Sequence, residues 1–388
     1  MREGRRQRAR GRHSPEVRRR HRPLGPAGDV GPRPAALTDR RSDLRALAAA
    51  AIAAAEPRAL LRSALEQDLQ RNPSLLRSKV YVVAAGKASA AMLAAFEERM
   101  PVAKAVRAAG SHPLPDAASV QFGLEALTLA REAREADGDL VVLLSGGASA
   151  MLAAPADGVT LELKREITRR LLAAGAPIHD LNAVRKHLSR IKGGRLAMDM
   201  RCTSFALSDV TDDGPASIGS GPTVGDPSTM ADAKRVLERM GIARELPEAI
   251  EAIDRAGESP KPGDRGLSQS RFVLIGGRRT AMDGAVNAAL ERDLSTIVLD
   301  EPITGEAAAA GAAFARRAIA AAERIGGAVM VVASGETTVT VRGPGTGGRN
   351  QEFALGAAVG IDRRDSSIPD RPFCIAAVGT DGIDGNSP

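Results

Sequence analysis

Tryptophan is absent from the 388 residues, tyrosine occurs once, at Tyr81, and phenylalanine seven times. Proteins that grip nucleic acid by stacking its bases need aromatic platforms, so a stacking-type nucleic-acid partner is not expected. Cysteine is nearly absent too. Cys202 and Cys374 stand far apart without metal-ligand spacing, which argues against a disulfide scaffold and fits a reducing, cytoplasmic setting. No apolar run approaches the ~18 residues of a membrane span, and the first residues lack the apolar core of a secretory signal.

Charge is plentiful, and its distribution matters more than its sum of +7. Residues 1–41 hold 13 arginines and four acids, a local net of +9, which leaves −2 for everything after them. Rich in Arg, Pro and Gly, this stretch cannot bury enough apolar surface to offset its ordering entropy. It is expected to be a disordered extension or a misassigned start, with an arm for anionic surfaces as the alternative.

From Asp43 onward the pattern turns globular. Residues 43–70 read as helix interrupted at Pro57, and VYVVAAG (80–86) as a buried parallel strand. A helix follows at 88–99, then strand LVVLLSGG (140–147), a helix around 161–174, strand SFALSDV (204–210) and a helix at 229–240. Such alternation predicts right-handed crossovers and a doubly wound α/β sheet. AGESPKPGDRGLSQS (256–270) is the best linker. A second α/β unit is expected beyond it, with strands at 272–277, 296–300, 328–335, 337–342 and 373–379 and helices at 306–323 and 350–360.

Ligands in open α/β sheets bind beyond the carboxyl ends of the strands, and polar segments crowd those ends here. AAGKAS (84–89) places Lys87 at a helix start, where amides and dipole favour anions. LLSGGASAM (143–151) offers Ser145, Gly146, Gly147 and Ser149 as an anion nest; it lacks the G-x-S-x-G of a hydrolase elbow. In NAVRKHLSRIKGG (182–194) a helix would align Asn182, Arg185, Ser189 and Lys192 on one basic face. SDVTDDGPASIGSGPTVGDP (208–227), a long loop after a strand, supplies Asp209, Asp212, Asp213 and Asp226 as metal ligands or a base. VRGPGTGGRNQE (341–352) matches G-x-G-x-x-G through Gly343, Gly345 and Gly348. The strand before it alternates like a half-exposed, often antiparallel one, which favours a phosphate loop with Arg349 over a dinucleotide site. Basic groups, carboxylates and glycine loops together suit phosphoryl transfer.

In order, AAGKAS, SHPLPD (111–116), LLSGGASAML, NAVRKHLSRIKGGRLA, SDVTDDGPASIGSGPT, GEA (305–307), SGETTVTVRGPGTGGRNQE and GTDGIDG closely resemble the glycerate 2-kinase family with a C-terminal MOFRL domain. The resemblance implies a large Rossmann-like doubly wound domain over 42–270, a smaller α/β MOFRL domain over 271–388, and an active site in the cleft between them. It implies ATP- and Mg²⁺-dependent phosphorylation of D-glycerate at its 2-hydroxyl, with Lys87 and Arg349 as catalytic cations. Asp209 or Asp381 would activate the hydroxyl or hold the metal. The site read from these segments binds nucleotide through Ser145, Gly146, Gly147, Ser149, Gly345, Gly347 and Gly348. Substrate falls to Arg185, Lys192, Ser220, Asn350 and Glu352, and metal to Asp209, Asp212 and Glu336. Some relatives carry the name hydroxypyruvate reductase, so an NAD(P)H-dependent reductase is the alternative. The family pattern continues past GTDGIDG, so the chain is expected to be cut short at its C-terminus.

Overall fold

A computed structural model describes residues 40–73, 79–108, 110–210, 212–323, 325–362, 373–380, 382 and 384–387. The extension expected over 1–41 therefore lies, but for its last two residues, outside the described residues. The chain divides into two units, one spanning Ala54–Thr280 and the other combining the residues up to Ala53 with those from Ala281 onward.

Helix α1 (Arg40–Ala54) belongs to the smaller unit, and α2 (Pro57–Arg71) opens the larger. The break falls where the sequence puts Pro57, which takes the first helical position of α2, and the Glu56 carboxylate caps the Arg58 and Ala59 amides. There follow β1 (Val80–Ala85), α3 (Ser89–Glu97), β2 (Lys104–Arg107), α4 (Ala117–Glu135), β3 (Asp139–Leu144), α5 (Ala148–Met151), α6 (Leu161–Ala173) and α7 (Ile178–His187). Strand β4 (Cys202–Leu207), helices α8 (Met230–Arg239), α9 (Ile242–Glu245) and α10 (Glu248–Ala256), and strand β5 (Ser270–Gly276) complete the larger unit.

Its sheet is wholly parallel, in the order β2-β1-β3-β4-β5. The pleat sends alternate residues to opposite faces. Val83, Ala85, Leu140, Val142 and Leu144 pack with Phe122, Ala126 and Leu129 of α4. On the other face Val80, Val82, Ala84, Val141 and Leu143 meet Leu61 and Leu65 of α2 and Met92 and Phe96 of α3. Helices on both faces make the sheet doubly wound, as the alternating pattern predicts. Two features escape that pattern: β2, a four-residue half-exposed edge strand without an apolar run, and the 19-residue α4 that follows it.

The boundary expected at 270 falls elsewhere. Strand β5 pairs with β4 from Cys202↔Ser270 onward, closing the larger sheet instead of opening the second unit. Arg271 fixes it to α2 by a two-pronged pair with Asp68, at 2.9 and 2.8 Å.

In the smaller unit, α11 (Arg278–Leu290) begins at the division. It is followed by β6 (Ser295–Glu306), α12 (Ala307–Ala322), β7 (Val329–Thr338) and α13 (Arg349–Asp362). β6 and β7 form a two-stranded parallel sheet. Leu47 of α1 packs with Ala285, Ala289 and Met330, and Phe314 and Phe353 join α12 to α13 with ring centroids 5.6 Å apart. The separate antiparallel-type strand expected at 337–342 does not form. Thr337 and Thr338 extend β7 in parallel register with Gly305 and Glu306, and 339–342 lie outside any strand. The strand expected at 373–379 is also absent, since these residues join no ladder among the described residues. No helix among the described residues is long and apolar enough to cross a membrane.

Candidate active site

The chain runs from β1 outward to β2 and then returns to β3 on the other side of β1. The strand order therefore reverses between β1 and β3, where a ligand crevice opens beyond the strand ends. Here the two loops that carry the AAGKAS and SGG motifs are stitched together. The Ser145 amide donates to Ala85 O (3.0 Å), the Lys87 amide to Gly146 O (2.8 Å), and the Ala88 amide to Ser145 Oγ (3.0 Å). Gly86 permits this closeness. It holds φ +111°, and a β-carbon there would stand 2.3 Å from Ser145 Oγ and 2.4 Å from Ser145 O. Lys87 is exposed on this junction. Ser145 is buried beneath it, its hydroxyl occupied in the stitch and not turned to a ligand as the sequence suggests.

The end of β4 joins the same point. A β-carbon on Gly146 would stand 2.4 Å from Asp209 Oδ2, so this glycine lets the exposed Asp209 carboxylate approach the SGG loop. Three strand ends thus meet at Gly146, with Lys87 bonded to its carbonyl side and Asp209 against its α-carbon. Gly147 lies beside the His112 ring, which a β-carbon there would meet at 3.4 Å. His112 comes from the SHPLPD segment, to which the sequence reading gave no role; the signal was the motif itself. Among the described residues one carboxylate oxygen is buried without a hydrogen-bond partner, Asp213 Oδ1, packed against Gly277.

The basic helix face expected over 182–193 is interrupted. Helix α7 stops at His187, and the chain turns at 188–194, where Ser189 Oγ accepts from the Ile191 and Lys192 amides. Lys192 therefore leaves the helix face and is buried, at 1% exposure. Its Nζ donates to Ser149 O (2.7 Å), Leu152 O (3.1 Å) and Gly219 O (3.4 Å), clamping the SGG helix to the 217–221 loop. Burial, together with the charges of Lys164, Arg185 and Lys186, pushes its pKa well below the usual lysine range. Lys192 supports the site from behind and does not face a substrate. Ser220, also named for substrate, is fully buried with φ +61°; its hydroxyl donates to Asn182 Oδ1 (2.8 Å) and lies 2.7 Å from Ser149 Oγ.

Arg185 stays on α7, half-buried, with no hydrogen bond or ion pair among the described residues. Burial pushes its pKa down to about 10. Nearby Lys164 is buried on α6 with its Nζ on Leu188 O (2.9 Å), and burial plus the Arg185 charge pushes it down to about 7. Behind α7, Lys186 pairs with the buried Asp226 at 3.0 Å, and His187 lies between Ala183 O (2.8 Å) and Glu258 Oε1 (2.7 Å). Burial alone would raise the Asp226 carboxyl; Lys186 and the Ser228 and Ser259 donors hold it below the usual range. This framework was not legible beforehand, because its partners lie 40 to 71 residues apart in sequence.

In the smaller unit the expected phosphate loop is occupied by the chain's own anion. Asp384 Oδ1 accepts from the Asn350 amide (2.9 Å) and Nδ2 (3.0 Å), and Oδ2 from the Gln351 amide (3.0 Å), capping the start of α13. Gly347 and Gly348 pack against residues 384–386, the Gly347 amide donating to Asn386 Oδ1 at 2.8 Å, while Gly345 has open space around it. Asn350 is thus committed to Asp384 in place of a substrate. Glu352 sits half-buried in the first turn of α13. Arg349 pairs with Glu336 at 2.7 Å. Asp381, expected to be catalytic, lies outside the described residues.

Two of the carboxylates expected to hold metal have partners within their own units. Asp212 closes its own turn, accepting from the Gly214 amide (3.1 Å) and Ser217 Oγ (3.0 Å), and Glu336 holds Arg349. Among the described residues no group of three His, Cys, Asp or Glu side chains could hold an ion. Asp209 stands exposed at the end of β4, against Gly146.

Residues 43–253 match the family model described as "Domain of unknown function (DUF4147)", and 329–388 match the MOFRL family. A protein of Agrobacterium vitis named as a hydroxypyruvate reductase is 37% identical over 89% of this chain and 80% of its own. The glycerate 2-kinase of Pyrococcus horikoshii is 36% identical over 86% of this chain and 81% of its own. The solved glycerate kinase of Thermotoga maritima has a TM-score of 0.68 and 31% identity, covering 82% of this chain and 80% of that one. With both regions in family order and a shared fold, the chain belongs to the glycerate 2-kinase family, a DUF4147 region followed by a MOFRL region.

Proposed function

We propose that the protein is a glycerate 2-kinase that transfers the γ-phosphoryl group of ATP to the 2-hydroxyl of D-glycerate. The meeting of three strand ends at Gly146, with Lys87 and Asp209 on either side, carries this reading. The names of the Pyrococcus and Thermotoga relatives point to the substrate. The Lys87 ammonium neutralises charge on the transferring group, and the Gly146–Gly147 backbone lets phosphate oxygens approach. The C2 oxygen bonds phosphorus as the bond to the ADP oxygen breaks, and Asp209 accepts the hydroxyl proton. Arg349 is a second candidate cation, and that role requires it to leave Glu336. Mg²⁺ would arrive on the nucleotide's phosphates with its waters, needing few protein ligands, and would supply further charge neutralisation.

The name of the Agrobacterium relative favours a second reading, hydroxypyruvate reduction. Two observations oppose it. Residues 339–342, ahead of Gly343–Gly348, are outside any strand, and Asp384 already takes the α13 amides that a dinucleotide phosphate would need. Purified protein should consume ATP with D-glycerate; oxidation of NADH with hydroxypyruvate, without that ATP consumption, would reverse the assignment.

A further inference from the structure

Hydrogen-bond direction in the larger unit says which ligand atoms it receives. Asn182 Nδ2 donates to Ser217 O (3.4 Å), which turns Asn182 Oδ1 toward Ser220. Ser220 spends its proton on that oxygen, so the 2.7 Å contact between the two hydroxyls is a donation from Ser149 to Ser220. The partly exposed Ser149 Oγ is left with acceptor lone pairs alone. It cannot donate to a phosphate oxygen, the role the sequence suggested for it; it can accept from a ligand hydroxyl.

One turn along α7 from Asn182, on the same face, stands Arg185, half-buried and without an anionic partner among the described residues. A guanidinium in that state is set for a carboxylate, which it can hold by two parallel N–H bonds. We propose that Ser149 and Arg185 form the acceptor-substrate subsite, with Arg185 taking the carboxylate of D-glycerate and Ser149 accepting from its 3-hydroxyl. This rests on the glycerate reading above, in which the 2-hydroxyl is the nucleophile and only the 3-hydroxyl remains to donate. Discrimination follows, because a site shaped to bond a hydroxyl disfavours the analogue lacking it.

Calorimetric titration with D-glycerate, D-lactate (no 3-hydroxyl), glycerol (no carboxylate) and MgATP tests this. Wild-type protein should bind D-glycerate about tenfold more tightly than D-lactate. S149A should bring the two within about twofold. S149T should keep the gap, and S149C, a second route if S149A does not fold, should narrow it. R185M should weaken D-glycerate at least about 30-fold and bring it close to glycerol. MgATP affinity should stay unchanged throughout. An undiminished glycerate-to-lactate ratio in S149A and S149C, wild-type glycerate affinity in R185M, or lost MgATP affinity in S149A would overturn the proposal. If D-glycerate binds as described but ATP is not consumed, the kinase reading falls and the subsite stands.

Discussion

Replacing Gly86 by alanine perturbs the β1–β3 junction at its tightest point. The residue holds φ +111°, and the new methyl would lie 2.3 Å from Ser145 Oγ and 2.4 Å from its carbonyl oxygen. Positive φ in an L-residue costs about 1–2 kcal/mol, and forcing a methyl into packed structure about 1–3 kcal/mol more. The Ser145 carbonyl cannot swing aside without breaking its bond from the Ala148 amide, and moving the Ser145 hydroxyl breaks the bond from the Ala88 amide. A loss of about 2–5 kcal/mol is expected, which for a unit of this size is about 5–15 °C in Tm. Displacing Lys87 by about 1 Å should lower kcat by about 100-fold. Gly175 is the control: its φ is +67°, but nothing lies within 4 Å of a β-carbon there. Gly175→Ala should lose about 1–2 kcal/mol and keep kcat. Thermal melts and steady-state kinetics of the two variants, read together, decide the matter. A Gly86→Ala enzyme with wild-type kcat would refute the claim that this junction positions the chemistry.

The buried lysine on α6 sets a pH dependence. Burial pushes Lys164 from the ordinary lysine value of 10.5 down to about 7 in the folded protein, so between these values the unfolded chain binds more protons and stability rises with pH, by up to about 1.4 kcal/mol per unit. Denaturant titrations from pH 7 to 9.5 should show a shallower rise in Lys164→Met; an unchanged slope would dismiss Lys164 as the source. Lys186→Met strands the buried Asp226 carboxylate and should cost about 3–5 kcal/mol, measured by urea unfolding; a loss under about 1 kcal/mol would mean that Ser228 and Ser259 suffice. Asp384→Ala uncaps α13 and should lower stability by about 1–2 kcal/mol in the same measurement; no change would show that the cap is not formed.

The larger unit was legible because its information is local. The apolar runs at 80–85, 140–144 and 202–207 are each followed closely by the glycine or aspartate that the site uses, Gly86, Gly146 and Asp209. Lys87, Gly146 and Asp209 could therefore be placed at strand ends before any contact was known. Lys192 could not, since its role depends on carbonyls 27 to 43 residues away and on α7 ending at His187. Ser220 and Asn350 look like ligand groups in sequence because polar residues beside glycine usually face solvent. Their hydrogen bonds are consumed by Asn182 and Asp384. Strand β5 was assigned to the wrong unit for a related reason: the Gly/Pro/Ser-rich stretch before it packs onto the larger unit through Ser259 and Pro260, and only these contacts and the pairing with β4 show where the sheet ends.

The central claim is tested most directly by following MgATP and D-glycerate with the purified protein by ³¹P NMR, alongside its Lys87→Met variant. ADP and 2-phosphoglycerate should appear one for one, and the variant should be slower by about 10²–10³-fold. No ATP consumption, phosphorylation at the 3-hydroxyl, or a wild-type rate in Lys87→Met would contradict the account.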